Sequence, residues 1–467
     1  MLPPGPTGWP IIGNLFQMVK NRPTHLWIHR VMEDMQTEIA CFRFAGAHVI
    51  AVTSSEIARE VLREKDEALA DRGDSYSSNL ISHGYKDIIF SPYGESWKVM
   101  KKVMVTKLMS PTTLNKSLGD RTLEADNIVT YIFNLCRVQS TTKSVVNVRD
   151  VALTYTHAVM MRMMFGQRHF EEPAEDGGLG QKEREHMDAI YQAIDCFFSS
   201  NISNYISCLR GWNIDGEEAK LREAVDIINR CNDPIIQERM HLWRNKGGKE
   251  TEEDWLGTLI TLKDDQGMPL FTLDEIRAQC KNINVAAIDN TMNNVEWTIA
   301  EMLNHQDILE KAINELDMVV GKDRLVQESD IPQLNYIKAC SRESFRLHPV
   351  NAFMPPHGAI ENTTLAGYFV PKGSQIFVSR LGLGRNPKIW DEPEAFKPER
   401  HLCDRDSMGV TLMEPDMRLL QGFEWTLPPG TSQIELVSAE SNLFMAKPLV
   451  ASVKPRLAPH LYPKMQI

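Results

Sequence analysis

The chain has 467 residues and a formal net charge of -11, with 42% hydrophobic and 24% charged residues. This mixture, without a flexible linker or an internal repeat, predicts a single globular domain over residues 1–467. The negative charge argues against a nucleic-acid partner, which would need a basic face. No apolar run approaches the roughly 18 residues of a membrane span. The eight cysteines are scattered and predict neither a disulfide framework nor a metal cluster.

The amino-terminal residues 1–15 are rich in proline, which fixes φ and favours a stiff, extended segment. This segment is either a surface arm or a hinge that follows a membrane anchor not contained in the chain. Residues 38–53 then alternate around Gly46 and predict a strand pair with a turn. From about residue 54 to residue 304 the spacing of the apolar residues is mostly helical.

The clearest predicted helix begins after Thr272, which forms a T-x-x-E capping box with Glu275. Its apolar positions recur at helical spacing as far as Leu303, and neither glycine nor proline interrupts the pattern before Gly321. A helix that is apolar over so many turns is expected to lie at the centre of the fold.

A second helix is predicted from Asp330 to His348, because Asp330 is a good capping residue and Pro349 cannot continue the helix. Short strand-like pieces separated by proline and glycine follow at residues 353–380. The chain is therefore predicted to be mainly α, with a minor β portion late in the sequence.

Glu343 and Arg346 form an E-x-x-R motif near the end of the second helix, at a spacing that lets the two side chains pair. Alone, such a motif is usually a solvated salt bridge. Here it is followed by Arg346-Leu-His-Pro349 and by Pro398-Glu-Arg400, and in this combination the chain resembles the cytochrome P-450 superfamily. The resemblance implies a P-450-like helical fold in which Glu343, Arg346 and Arg400 form a buried structural triad.

The stretch Ala286-Ala-Ile-Asp-Asn-Thr291 in the long helix resembles the segment that crosses above the haem in that superfamily. The resemblance implies catalytic roles in proton delivery to bound oxygen for Asp289, Asn290 and Thr291, although most members carry threonine where Asn290 stands. It also implies haem-propionate contacts from Trp97, Lys101 and His357. Without the flanking motifs, each of these residues would be explained by packing alone.

With Asn290 after Asp289 and His401 after Arg400, the chain resembles the plant amino-acid N-hydroxylases. These enzymes convert amino acids into aldoximes for glucosinolate or cyanogenic glucoside synthesis. The resemblance implies a haem cofactor, an amino-acid substrate, an NADPH-dependent reductase partner and the cytosolic face of the endoplasmic reticulum membrane. Because no anchor is present, this chain is expected to be cytosolic or only peripherally bound to a membrane. Substrate contacts are expected near residues 77–85, 286–290, 350–356 and 441–444, with these four residues as candidates: Ala286, Ala287, Phe353 and Phe444.

The cysteine loop that would hold the haem iron, and the helix after it, are missing at a junction between Arg418 and Leu419. A thiolate on the iron is what favours O–O cleavage in such enzymes. Cys403 is the only cysteine after the E-x-x-R helix and has no glycine-rich turn around it. A neutral ligand from His401 or His357 would not supply the thiolate.

We therefore expect no metal ligand set in this chain, weak haem retention at best, and a relic of an oxidoreductase that is itself inactive. The alternatives are an active monooxygenase with an unrecognised ligand and a non-catalytic remnant that binds the substrate. Skipped coding sequence, an error in the gene model and a decaying duplicate would each explain the missing loop.

Overall fold

The computed structural model describes residues 1–138, 144–168, 170, 180–199, 201–245, 254–402, 414–439 and 443–464. The α-helices are α1 (Leu15–Lys20), α2 (Thr24–Asp34), α3 (Ser55–Arg59), α4 (Tyr76–Ile81), α5 (Glu95–Val103), α6 (Pro111–Lys116), α7 (Leu118–Val138), α8 (Val148–Phe165), α9 (Gln181–Phe198), α10 (Glu217–Met240), α11 (Trp255–Thr261), α12 (Leu273–Asn304), α13 (Gln306–Val319), α14 (Asn335–Leu347), α15 (Arg380–Gly384) and α16 (Glu414–Gly422). The mainly helical character predicted from the sequence is confirmed.

The β portion is small, as predicted, and forms three sheets. The strands are β1 (Ile39–Phe44), β2 (Ala47–Val52), β3 (Ser144–Asn147), β4 (His357–Gly358), β5 (Thr363–Leu365), β6 (Tyr368–Val370), β7 (Gln375–Val378), β8 (Phe423–Thr426) and β9 (Val450–Pro455). Their orders are β1-β2-β7-β4, β3-β9-β8 and β5-β6. The predicted strand pair is the antiparallel β1–β2 hairpin, and β2 pairs in parallel with β7.

Helix α12 runs through the middle of the protein, and its amino-terminal cap is the predicted one. The Thr272 hydroxyl accepts from the Glu275 N–H at 3.3 Å, and the Glu275 carboxylate accepts from the Thr272 N–H at 2.8 Å. At the other end, the fully buried Trp297 ring lies on the His348 ring with centroids 3.8 Å apart, and its indole N–H donates to the Leu443 carbonyl at 3.0 Å. The helix is thus fixed at both ends, which positions its middle.

The second predicted helix begins later than expected. Residues Glu328–Gln333 form a 3-10 turn, and α14 begins only at Asn335. The Asp330 carboxylate does act in a capping box, but its partner is Gln327 and the box belongs to the 3-10 turn. The α-helical start at Asp330 was therefore wrong, whereas the predicted end at His348 agrees with the last helical residue, Leu347.

A short helix, α16, spans residues 418 and 419. Leu419 lies inside α16, and both Leu419 and Leu420 are buried. Arg418, which is also buried, donates to the Val326 carbonyl at 3.1 Å and pairs with Asp126 of α7. These packing contacts stabilise one short helix there.

Candidate functional site

Glu343 is the centre of a buried ion network that joins α14 to the segment before residue 402. Its carboxylate accepts from Arg346 Nε at 2.8 Å and Nη2 at 2.7 Å, and from Arg400 Nε at 3.0 Å. The Lys397 N–H and His401 Nε2 lie 2.8 Å from the same carboxylate. The structure therefore brings the three predicted triad residues together and adds His401 to them.

The electrostatics of Glu343 follow from this arrangement. Burial by itself would raise the pKa of Glu343, but the hydrogen bonds from Arg346, His401 and the Lys397 N–H lower it to about 2. Arg346 also donates to the carbonyls of Gly384, Pro393 and Ala395. Because His401 is occupied by Glu343, this geometry assigns it to the network and gives no support to its use as an iron ligand.

In the middle of α12, one side of this mostly buried helix is exposed. Ala286 and Asn290 are exposed there, whereas Asp289 is buried. The Asn290 side-chain amide donates to the Ala286 carbonyl at 2.6 Å, and the Thr291 hydroxyl donates to the Ala287 carbonyl at 3.2 Å. Both polar groups of the predicted proton-delivery stretch are thus bonded to their own helix, while the Asp289 Oδ1 atom has no hydrogen-bond partner among the described residues.

Trp97 and Lys101 lie one helical turn apart on α5 and contact each other. The Lys101 ammonium is 4.6 Å from the centroid of the Trp97 ring, a cation–π distance. The Trp97 indole N–H donates to the Ile88 carbonyl at 3.0 Å, while Lys101 remains exposed. The pair therefore presents one cation beside an aromatic ring, which suits a carboxylate ligand.

His357 begins β4, and its Nδ1 atom is 3.2 Å from the Leu69 carbonyl. Burial lowers the pKa of His357, and the nearby Arg72 lowers it further. Arg72 Nε donates to the Ile89 carbonyl at 2.9 Å, next to the Ile88 carbonyl that Trp97 uses. Arg72 therefore connects the two predicted propionate-binding regions.

Arg72 was missed by the sequence reasoning, because an isolated arginine in a loop carries no pattern. Burial lowers the pKa of Arg72, while the charges of three nearby aspartates raise it. Together with His357 and Lys101, Arg72 could hold carboxylate groups in this region.

A cavity of about 380 Å³ is lined in part by Arg72 and by Pro356, the residue before His357. Of the predicted substrate residues, Phe353 lines the cavity, whereas Ala286, Ala287 and Phe444 are not among the lining residues. Phe444 is buried and packs edge-on against Tyr191, with ring centroids 5.5 Å apart. The lining mixes aromatic and polar side chains, and its acidic and basic members are Arg22, His25, Arg72, Asp195, Glu217 and Lys220.

The cysteines that the structure describes do not form an evident iron site. Cys196 lines the cavity, but burial, with help from Glu217, raises its pKa to about 12, so it is a neutral thiol. Within the described residues, no group of three or more His, Cys, Asp and Glu side chains could hold a metal ion. Cys403 lies outside the described residues. The described residues thus offer cationic groups for the carboxylates of a haem.

No helix in the part of the chain that the structure describes is both long and apolar enough to cross a membrane.

Comparison with known proteins gives a consistent set of relatives. The family model described as Cytochrome P450 matches residues 3–411. Dihomomethionine N-hydroxylase of Arabidopsis thaliana is 47% identical over 497 aligned positions, which cover 100% of this chain and 92% of that protein. Tyrosine N-monooxygenase of Sorghum bicolor is 45% identical, and the alignment covers 100% of this chain and 88% of that protein. Tryptophan N-monooxygenase 1 of Arabidopsis thaliana is 43% identical, and the alignment covers 100% of this chain and 90% of that protein.

Solved structures show the same fold. A zebra fish cytochrome P450 with progesterone superposes with a TM-score of 0.73 at 23% sequence identity. The match covers 93% of this chain and 100% of that one. The arrangement of helices around α12 is thus one that is known from experiment.

Proposed function

The chain belongs to the cytochrome P450 family, and we propose that it derives from a haem-dependent monooxygenase that N-hydroxylates an amino acid on the way to an aldoxime. The relatives that support this proposal carry the names of amino-acid N-hydroxylases and align over the whole chain. The cavity supports it too, because aromatic and charged side chains suit a ligand that has both an apolar part and charged ends. Electrons would come from an NADPH-dependent reductase, at the cytosolic face of the endoplasmic reticulum.

We also propose that the chain as it stands does not catalyse this reaction. The observation that carries this part is the absence of any cysteine after Cys403. Two findings support a segment that this chain lacks relative to its relatives. The alignment with dihomomethionine N-hydroxylase has 497 positions, 30 more than the 467 residues of this chain, and the family match ends at residue 411.

The proposed roles of the individual residues follow from the geometry. Glu343, Arg346 and Arg400 stabilise the fold and do not touch substrate. Lys101 and His357, assisted by Arg72, would hold the propionates if a haem were bound. Because the sequence after the E-x-x-R helix contains no cysteine in a glycine-rich turn, we assign the chain no oxygen-activating step.

The absorption spectrum of the chain after expression with haem, reduction and exposure to carbon monoxide tests this proposal. We expect no strongly red-shifted Soret band from protein that circular dichroism shows to be folded. A red-shifted band would show a thiolate on the iron and overturn the inactivity, and Cys403→Ser would then be the first variant to measure. Cys208→Ser is the matched control, because Cys208 is exposed and does not line the cavity.

A second candidate function is non-catalytic binding of an amino acid. The observation that favours it is the cavity of about 380 Å³ with its charged lining, none of which depends on the missing loop. Saturable binding of an amino acid without turnover, in the presence of reductase and NADPH, would distinguish a binding protein from an enzyme.

A further inference from the structure

Arg72 is a half-buried cation that lines the cavity, whereas Lys101 and His357 are not among the lining residues. Its Nε atom donates to the Ile89 carbonyl at 2.9 Å, and its Nη1 atom donates to the Pro356 carbonyl at 3.5 Å. Both acceptors are neutral, and within the described residues the guanidinium forms no ion pair. Because a guanidinium has five N–H donors, Arg72 keeps donors that can bind an anion in the cavity.

The carboxylates close to Arg72 are bound elsewhere. The Asp71 carboxylate accepts from the backbone N–H of Arg72 at 2.9 Å. The fully buried Asp87 accepts from the side-chain amide of Asn282 at 2.5 Å and from the Phe90 N–H at 2.9 Å. Neither aspartate forms an ion pair with the Arg72 guanidinium among the described residues, so a carboxylate group in the cavity would supply the missing partner.

Gln375 of β7 lies beside the segment that carries Arg72. Its Nε2 atom is 3.1 Å from the position that a Cβ atom at Gly73 would take. The backbone holds the two segments together, because Gln375 pairs with Gly358 and the Gly358 N–H donates to the Asp71 carbonyl at 2.5 Å. Gln375 is 9% exposed and lines the cavity, yet its side-chain amide makes no hydrogen bond within the described chain. A buried amide of this kind calls for a partner such as a ligand.

Aromatic rings lie next to these polar groups. Phe377 is two residues after Gln375 in β7, so both side chains point to the same face of the strand. The Phe377 ring lies 5.3 Å from the Phe353 ring, and the Phe44 ring lies 4.9 Å from the Tyr205 ring. All four rings line the cavity. The cavity therefore places donors for a carboxylate beside a wall that suits another aromatic ring.

We infer that this cavity binds an α-amino acid with an aromatic side chain, and that Arg72 and Gln375 hold its carboxylate. The ring of the ligand packs against Phe353 and Phe377. The Asn351 Oδ1 atom accepts from the ammonium, because it is a buried acceptor of the same lining and has no partner among the described residues. This inference rests on the proposed function and names the substrate class and the residues that bind its carboxylate.

The test measures binding and requires neither haem nor turnover. Isothermal titration calorimetry on the full chain uses phenylalanine, tyrosine and tryptophan, each beside its decarboxylated amine, with leucine and methionine as aliphatic amino acids. We expect at least one aromatic amino acid to bind more tightly than its amine and than both aliphatic amino acids. Arg72→Gln should weaken binding of that amino acid by about 10- to 100-fold, the range for hydrogen bonds to a charged group, and should leave the amine unchanged.

Three further variants complete the design, each shown by circular dichroism to be folded. Gln375→Leu removes a neutral donor and should weaken binding of the amino acid by up to about 10-fold, again without an effect on the amine. Arg72→Lys keeps the charge but loses the planar fork, so it should bind more tightly than Arg72→Gln and more weakly than the unmodified chain. Arg22→Gln is the matched control, because it removes an exposed cation from the same lining and should have little effect.

The outcomes separate the inference from the proposed function. If an amino acid binds but Arg72→Gln weakens it no more than Arg22→Gln does, the assignment of the carboxylate to Arg72 is wrong and the proposed function stands. If leucine or methionine binds as tightly as the aromatic amino acids, the aromatic substrate class is wrong. If no amino acid on the panel binds to the folded chain, both the inference and the amino-acid substrate of the proposed function are overturned.

Discussion

The variant Glu343→Gln keeps the size of the side chain and removes the charge at the centre of the buried network. The Glu343 side chain is fully buried and accepts from two arginines, a histidine and a backbone N–H. The variant would leave Arg346, which is 4% exposed, as a buried cation whose remaining acceptors are neutral carbonyls. Breaking a buried ion pair on one side costs about 3–5 kcal/mol.

The lowered pKa of Glu343 gives a second value for the free-energy cost of removing its charge. The fall from 4.5 to about 2 corresponds to a stabilisation of about 3 kcal/mol by the ionised form. Because the pKa is lowered in the folded state, this contribution is complete above pH 4.5 and is lost as the pH falls towards 2. Both routes therefore predict a decrease of about 3 kcal/mol in the free energy of unfolding at neutral pH, a large part of a typical total of about 5–15 kcal/mol.

The assay is urea denaturation followed by circular dichroism, at neutral pH and near pH 3, for the unmodified chain and for Glu343→Gln. We expect the difference between the two proteins to shrink at the lower pH, because near pH 3 the Glu343 side chain is protonated in the unfolded chain but still ionised in the folded chain, which removes part of the stabilisation. The control is Glu95→Gln, which removes an exposed pair with Lys98 and should change stability by less than about 1 kcal/mol. The reasoning is refuted if Glu343→Gln costs no more than this control, or if the difference is the same at both pH values.

Three further predictions concern the fold and the missing segment. Leu420→Ala should destabilise the chain by about 2–5 kcal/mol in the same assay, because Leu420 is buried in α16; the exposed Leu402→Ala is its control, and equal effects would mean that α16 is not packed. Thr272→Ala should cost about 1 kcal/mol through loss of the cap, and Thr272→Ser should not; a neutral alanine variant would contradict the role of the capping box. Insertion between residues 418 and 419 of the segment that dihomomethionine N-hydroxylase carries opposite the gap should produce the red-shifted Soret band of the reduced carbon-monoxide complex, and its absence from a folded, haem-bound protein would show that more than the loop is missing.

Local sequence signals determined a substantial part of this structure. The cap at Thr272 and the long apolar pattern after it predicted α12, because the capping box and helical periodicity are properties of neighbouring residues. The alternation around Gly46 predicted the hairpin for the same reason. The start of α14 was misplaced because a capping residue followed by proline suits a 3-10 turn as well as an α-helix, and the choice depends on what the segment packs against.

The tertiary structure alone decided the helix at the junction and the polar walls of the cavity. A short segment such as α16 is not stable as a helix by itself, and it forms because its leucines are buried and Arg418 reaches Asp126, nearly three hundred residues away in the chain. The cavity likewise joins α2, α9 and the segment before β4, which no sequence spacing connects. The sequence determined which family the chain resembles, whereas only the fold brings charged side chains from distant parts of the chain around one cavity, because contact between distant residues is created by packing.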